Sequence, residues 1–99
     1  MKKIVLFCGA GMSSSLLVLK MRDAAKAVGY ECYIEAFAST NPQYAQDADA
    51  VLVGPQIAFR VKELQEKIPC PVQAINDVAY GTMNGGMVLA QARKLMKDE

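Results

Sequence analysis

A thiol, two glycines and three serines fall within one short stretch, Cys8-Gly9-Ala10-Gly11-Met12-Ser13-Ser14-Ser15. The apolar run Ile4-Val5-Leu6-Phe7 leads into it and reads as a buried strand, while Leu16 and Leu17 open a pattern at helical spacing. The stretch is therefore a strand end, a glycine-rich loop and a helix start, with a sulfur at the head of the loop. A helix N-terminus presents unpaired N–H groups and the positive end of the macrodipole, which suits a small anion. The same field favours thiolate over thiol and makes Cys8 a candidate nucleophile. Gly9 and Gly11 let the backbone turn its N–H groups inward, and the three hydroxyls add donors. A cysteine at a strand end is ordinarily a small hydrophobe, but a purely structural turn does not need this nest of donors. The chemistry expected is a phosphoryl group carried on Cys8, held by Gly9, Ala10, Gly11, Met12, Ser13, Ser14 and Ser15.

The chain has no histidine, which removes the commonest general base and the commonest metal ligand. An acid–base partner for Cys8 must be a carboxyl group, a backbone dipole or a residue of another protein. No metal site and no cofactor are expected. Three cysteines without C-x-x-C spacing argue against a disulfide framework and for a reducing, cytoplasmic setting. Cys32, within a strand, and Cys70, between prolines, read as packing. With 99 residues, 53% hydrophobic and 21% charged, the chain fits one globular domain, 1–99. A net charge of +1 gives no reason to expect nucleic acid as a partner. No apolar run approaches the ~20 residues of a membrane span, so direct membrane insertion is not expected. Lys2-Lys3 and the short run Ile4–Phe7 fall below the ~7–15 apolar residues of a secretory signal.

The elements that must position the loop alternate. Helix is expected from Met12 to about Val28, with Leu17, Met21, Ala24, Ala25 and Val28 on one face, a serine cap near Ser13 and Gly29 as its stop. Tyr30–Phe37 is read as a half-exposed edge strand, Pro42–Ala45 as a short helix, and Asp49–Val53 as a central strand. A helix over Ile57–Lys67 follows, then a strand over Pro71–Ile75, a loop over Asn76–Gly86 and a helix from about Gly85 to Lys97. Asp49 and Asp77 read as loop caps, and Glu35 as a solvated strand residue. The fold class is α/β: a four-stranded parallel sheet in order 2-1-3-4, with right-handed crossovers and helices on both faces, the flavodoxin-like winding. Its switch point falls between the first and third strands. The loops at Cys8, at Gly54-Pro55-Gln56 and at Tyr80-Gly81 then share the sheet's carboxyl edge.

Neighbouring motifs fit less well. Gly9-Ala10-Gly11-Met12-Ser13-Ser14 supplies two of the three glycines of a dinucleotide fingerprint, and a Walker Gly-Lys-Ser/Thr is absent. A receiver domain needs an Asp where Val53-Gly54 stand. The loop is similar in plan to that of the low-molecular-weight cysteine phosphatases, C-x5-R-S/T, but Ser14 occupies the arginine position. Without a guanidinium to fork onto the phosphoryl oxygens and stabilise hydrolysis, a phosphocysteine should wait for an acceptor.

The chain resembles the IIB component of the lactose/cellobiose (including chitobiose) class of the bacterial phosphoenolpyruvate-dependent sugar phosphotransferase system. The residues that carry the resemblance are Leu6–Leu17, Lys20-Met21, Glu35-Ala36-Phe37, Ala48-Asp49, Val51–Ala58 and Tyr80-Gly81. The first of these contains Cys8-Gly9-Ala10-Gly11 where some members have Cys-Ser-Ala-Gly. The resemblance implies a relay: phosphohistidine of the IIA component donates to Cys8, and phospho-Cys8 passes the group to a sugar in the membrane component IIC. It also implies a rim of Met12, Gln56, Ile57 and Tyr80 where IIA and IIC dock in turn; for Met12 and Ile57 ordinary helix packing is the competing expectation. The chain by itself is expected to be a monomer. A cysteine phosphatase or arsenate-reductase-like enzyme is the alternative enzyme reading. A non-catalytic regulatory module with an anion pocket is the alternative from another class.

Overall fold

The computed structural model describes residues 1–8, 12–38 and 42–98, without the side chains of Cys8, Met12, Ser13, Ser14, Ala38, Pro42 and Tyr44. Four strands, β1 (Lys2–Cys8), β2 (Cys32–Ala38), β3 (Ala50–Val53) and β4 (Val72–Ala74), form one sheet in the order β2-β1-β3-β4. Every pairing is parallel, with Ile4 opposite both Ile34 and Ala50, and Val51 opposite Val72. Helix α1 (Met12–Ala27) follows β1, and a 3-10 turn over Pro42–Ala45 precedes β3. A six-residue 3-10 segment, Pro55–Arg60, leads into α2 (Val61–Lys67). The short α3 (Asp77–Gly81) and then α4 (Gly85–Leu95) follow β4.

From Ile4 to Phe7 strand β1 is apolar without interruption because both of its faces are covered there. Ile4 and Leu6 point to one side, where Ile34 and Leu52 of the sheet meet Leu17 and Met21 of α1 and Val88 and Ala92 of α4. Val5 and Phe7 point to the other, against Val51, Val53 and Val72 with Leu64, Ile68, Ala45 and Ala48. Period-two alternation thus sorts one strand's side chains into two cores, and the four-strand order follows from burying both.

The structure departs from expectation at several points. Val28 is 65% exposed rather than on the buried face of α1, because that helix closes at Ala27. Gly29 then takes a left-handed φ of 70° and its N–H donates to the Lys26 carbonyl at 3.2 Å, the expected stop. The single helix read over Ile57–Lys67 is two elements. Pro55 starts a 3-10 segment that breaks at Ile57 (φ −122°, ψ 26°), and α-helical hydrogen bonding begins only at Val61. The span read as a loop after Asn76 contains α3, whose N-cap is Asn76: its side chain accepts from the N–H groups of Val78 (3.0 Å) and Ala79 (3.1 Å). Asp49 reaches much further than a loop cap. Its Oδ2 accepts from the Lys3 N–H at 2.8 Å, and its own N–H donates to the Lys3 carbonyl at 2.8 Å, tying the starts of β1 and β3 together. The serine cap of α1 lies outside the described residues.

The C-terminal segment is latched to the amino edge of the sheet. Tyr30 Oη donates to Asp98 Oδ2 at 2.6 Å, and the Arg93 guanidinium sits 4.3 Å from the Tyr30 ring centroid. Arg93 Nε also donates to the Asp98 carbonyl oxygen at 3.0 Å. Burial, followed by the hydrogen bond and the charge of Asp98, pushes the Tyr30 phenol from 10.0 up to about 12. The native state therefore keeps this proton while the unfolded chain releases it, so the contribution is complete below pH 10 and is lost as pH rises through about 12. Urea midpoints measured across that window should fall more steeply for the wild type than for Tyr30→Phe. Parallel curves would mean that the phenol is unshifted.

Candidate functional site

Strand β1 ends at Cys8 and α1 begins at Met12, with only three residues between them, so the positive end of a 16-residue helix lies beside the carboxyl edge of β1. Of the expected phosphate-binding set, Gly9, Ala10 and Gly11 lie outside the described residues, as do the side chains of Cys8, Met12, Ser13 and Ser14. Ser15 is exposed in the first turns of α1.

The neighbouring strand ends are held in line with Cys8. The Gly54 N–H donates to the Phe7 carbonyl at 2.8 Å, and the Ile75 N–H donates to the Val53 carbonyl at 2.8 Å. The carboxyl ends of β1, β3 and β4 are thereby pinned side by side. The chain leaves β3 through Gly54-Pro55-Gln56 and leaves β4 through Asn76 into α3. In this strand order the switch point lies between β1 and β3, where open α/β sheets seat their ligands. The chain thus leaves β1, β3 and β4 at one edge of the sheet.

Of the expected rim residues, the Met12 side chain lies outside the described residues, and the other three differ in burial. Gln56 is exposed. Ile57 is half-buried against the core beneath α2, whereas Tyr80 is half-buried against the opposite core, beneath α1 and α4. They flank the edge from its two sides. Larger apolar surface is offered by residues the sequence reading passed over: Phe59 in the 3-10 segment is 80% exposed, and Val78 on α3 is 64% exposed. Leu16, one turn into α1, is also exposed. The available signal was negative. Phe59 lies off the inward stripe of Val61, Leu64 and Ile68, and Val78 follows two polar residues, the capping Asn76 and the first-turn Asp77.

Comparison with known proteins decides what this edge belongs to. Residues 3–91 match the family described as PTS system, Lactose/Cellobiose specific IIB subunit. The chain belongs to this family of IIB subunits. The PTS system oligo-beta-mannoside-specific EIIB component of Bacillus subtilis (strain 168) is 41% identical, with 100% of each chain covered. The cellobiose-specific EIIB component of Lactococcus lactis subsp. lactis (strain IL1403) is 40% identical, with 96% of each covered. The solution structure of a cellobiose-specific IIB component from Borrelia burgdorferi superposes with a TM-score of 0.79 at 40% identity, covering 98% of this chain and 93% of that one. The lactose-specific IIB domain of Streptococcus pneumoniae has the same fold, with a TM-score of 0.80 at 14% identity over 94% of this chain and 95% of that one. This IIB chain is thus a component of the sugar phosphotransferase system, with the four-stranded winding of its relatives.

The remaining thiols of the IIB chain are placed for packing. Cys70 is buried between Pro69 and Pro71, and Cys32 is half-buried in the edge strand β2. Burial pushes both thiols up; the Arg93 charge opposes this at Cys32. Among the described residues no three His, Cys, Asp or Glu side chains gather as a metal site, and no helix is long and apolar enough to cross a membrane.

Proposed function

We propose that Cys8 is the phosphoryl carrier of this IIB chain. Its thiolate attacks the phosphorus of a phosphohistidine on the IIA component. The P–N bond breaks, and the imidazole keeps the electron pair. A sugar hydroxyl held by the membrane component IIC then attacks the phosphocysteine. The S–P bond breaks, Cys8 returns to thiolate, and the hydroxyl proton leaves to a base or to solvent. The observation that carries this reading is the placement of Cys8: it is the last residue of β1, separated by three residues from the start of α1, and it follows Phe7, whose carbonyl accepts from the Gly54 N–H at the switch point. Backbone N–H groups from Gly9 to Ser14, with the hydroxyls of Ser13, Ser14 and Ser15, hold the phosphoryl oxygens. Positioning and charge stabilisation supply most of what such a transfer needs. Ser14 in place of an arginine leaves hydrolysis slow, which separates a carrier from a phosphatase.

Residues 1–99 act as one IIB domain, monomeric by itself, working at the cytoplasmic face of the membrane where IIC recruits it. Met12, Gln56, Ile57 and Tyr80 line the docking rim, and Phe59, Val78 and Leu16 extend it. The sugar is of the β-glucoside or disaccharide type, such as cellobiose, chitobiose or lactose, and its identity is set mainly by the IIC pocket. Relatives of about 40% identity that are named for oligo-β-mannosides, galactose and cellobiose agree with a IIB chain that does not itself read the sugar.

Intact-mass analysis after incubation with phosphoenolpyruvate, the general phosphotransferase proteins and IIA should show one added phosphoryl group, mapped to Cys8. Turnover of p-nitrophenyl phosphate by the chain alone would instead identify a phosphatase, and anion binding without covalent gain would identify a regulatory module. Limited iodoacetamide should alkylate Cys8 first, with Cys32 and Cys70 modified rapidly only after unfolding, because their thiols are pushed up by burial. Equal labelling of all three in the native protein would remove the basis for an activated thiolate.

A further inference from the structure

Strand β4 has only three residues, yet its open edge is almost fully occupied by side chains from two helices. The Pro71 carbonyl and the Ile75 N–H face β3, so alternation turns the backbone groups of Val72, Ala74 and Asn76 outward. Gln65 of α2 covers the beginning of this edge: Oε1 accepts from the Val72 N–H at 2.8 Å and Nε2 donates to the Cys70 carbonyl at 2.8 Å. Gln91 of α4 covers the end. Its Nε2 donates to the Ala74 carbonyl at 2.8 Å and its Oε1 accepts from the Asn76 N–H at 3.0 Å. Each carboxamide stands in for a neighbouring strand.

The two clasps differ in what lies beyond them. Past Gln65 there is only the turn out of α2. Past Gln91 lies Asn76, whose side chain caps α3. Helix α3 has five residues, too few to hold its shape alone. It is closed at its far end by the Asn84 N–H donating to the Ala79 carbonyl at 2.8 Å, and Asn84 in turn caps α4 by accepting from the Met87 N–H at 3.1 Å. The path from β4 through Asn76, α3 and Asn84 into α4 returns through Gln91 to β4. Val78 and Tyr80 belong to α3, which follows the carboxyl end of β4 through Asn76, and Val78 is exposed.

We propose that Gln91 is a positioning residue for phosphoryl transfer: by fixing the Ala74–Asn76 turn it sets the angle at which α3 meets the incoming phosphorylated IIA. This rests on the carrier reading above. The measurement is the rate of phosphoryl transfer from phosphorylated IIA as a function of its concentration, with thermal unfolding of each variant alongside. Gln91→Ala should raise KM for the donor protein about fivefold, the weight of one or two hydrogen bonds, with the saturating rate unchanged. Gln65→Ala removes the matching clasp from the same strand, so it should lower the melting temperature comparably and leave KM at the wild-type value. Asn76→Ala should raise KM as Gln91→Ala does, and the double variant should be no worse than the worse single one, because the two act in series. An unchanged KM for Gln91→Ala, an equal rise for Gln65→Ala, or additive effects in the double variant would each overturn the proposal. A wild-type chain that accepts no phosphoryl group would overturn the carrier reading itself, and this inference with it.

Discussion

Cys8→Ser should accept no phosphoryl group from IIA and should block sugar phosphorylation through IIC, while folding as the wild type does. A serine hydroxyl at neutral pH is almost wholly protonated and needs a general base to attack phosphorus. The chain has no histidine, the commonest general base, to supply what a serine needs and a thiolate does not. The loss expected is at least about three orders of magnitude in transfer rate, on the scale of general-base contributions. Cys32→Ser and Cys70→Ser should retain transfer, since both thiols are placed in packing positions on β2 and after α2. The readout is the intact mass of each variant after the relay, with unfolding curves to show that the fold survives. A Cys8→Ser variant that gains a phosphoryl group at the wild-type rate, or a Cys70→Ser variant that folds but gains none, would move the carrier role elsewhere.

The second large effect concerns two adjacent glycines that should respond in opposite directions. Gly85 opens α4 where that helix crosses α1, and a Cβ there would stand 2.5 Å from the Lys20 carbonyl oxygen and 2.6 Å from the Met21 nitrogen. Both are backbone atoms in the middle of a helix, so no rotamer change relieves the overlap. Helix α4 must move off α1, opening the layer in which Leu17, Met21 and Ala25 meet Val88, Leu89 and Ala92. Intrinsic propensity favours alanine over glycine in a helix by about 1 kcal/mol, but overpacking of a tight contact costs about 1–3 kcal/mol and occasionally more. With backbone as the obstacle the overlap wins, and Gly85→Ala should lose about 3 kcal/mol. In a domain of this size that corresponds to a melting temperature lower by more than about 10 °C.

At Gly86 an added Cβ meets nothing closer than Asn84 Oδ1 at 3.5 Å and the Ala24 methyl at 4.0 Å, both ordinary contacts. Gly86→Ala should therefore gain about 0.5–1 kcal/mol from propensity alone. Thermal unfolding of the two variants decides it. Melting temperatures that shift in the same direction would show that the α1–α4 contact is looser than its geometry.

Much of this molecule was legible because it is encoded locally. The alternation of Ile4 and Leu6 with Val5 and Phe7, the serine-rich restart at Met12, the stop at Gly29 and the turn at Pro42–Ala45 all follow from periods and caps spanning a few residues. The family resemblance that runs through the stretch at Cys8 is local in the same sense and is borne out by the match over residues 3–91, whereas the loop Gly9–Gly11 itself lies outside the described residues. The parallel order β2-β1-β3-β4 was legible at one remove, since strand–helix alternation with a continuous apolar β1 and β3 leaves few other ways to bury both faces of the sheet.

Only the tertiary structure decided the rest. Nothing in the sequence around Gly85 announces that a helix backbone crosses it at Lys20-Met21. Gln65 and Gln91 read as ordinary surface residues until β4 is seen to lack a neighbour. Asp49 finds Lys3 across 46 residues, and Tyr30 finds Asp98 across 68. Such contacts carry no local signature, because a residue's hydrogen-bonding capacity is a property of its side chain whereas its partner is a property of the fold. Helix α3 belongs with them: five residues carry too little helical preference to be read as a helix, and it exists because Asn76, Asn84 and Gln91 close a circuit around it.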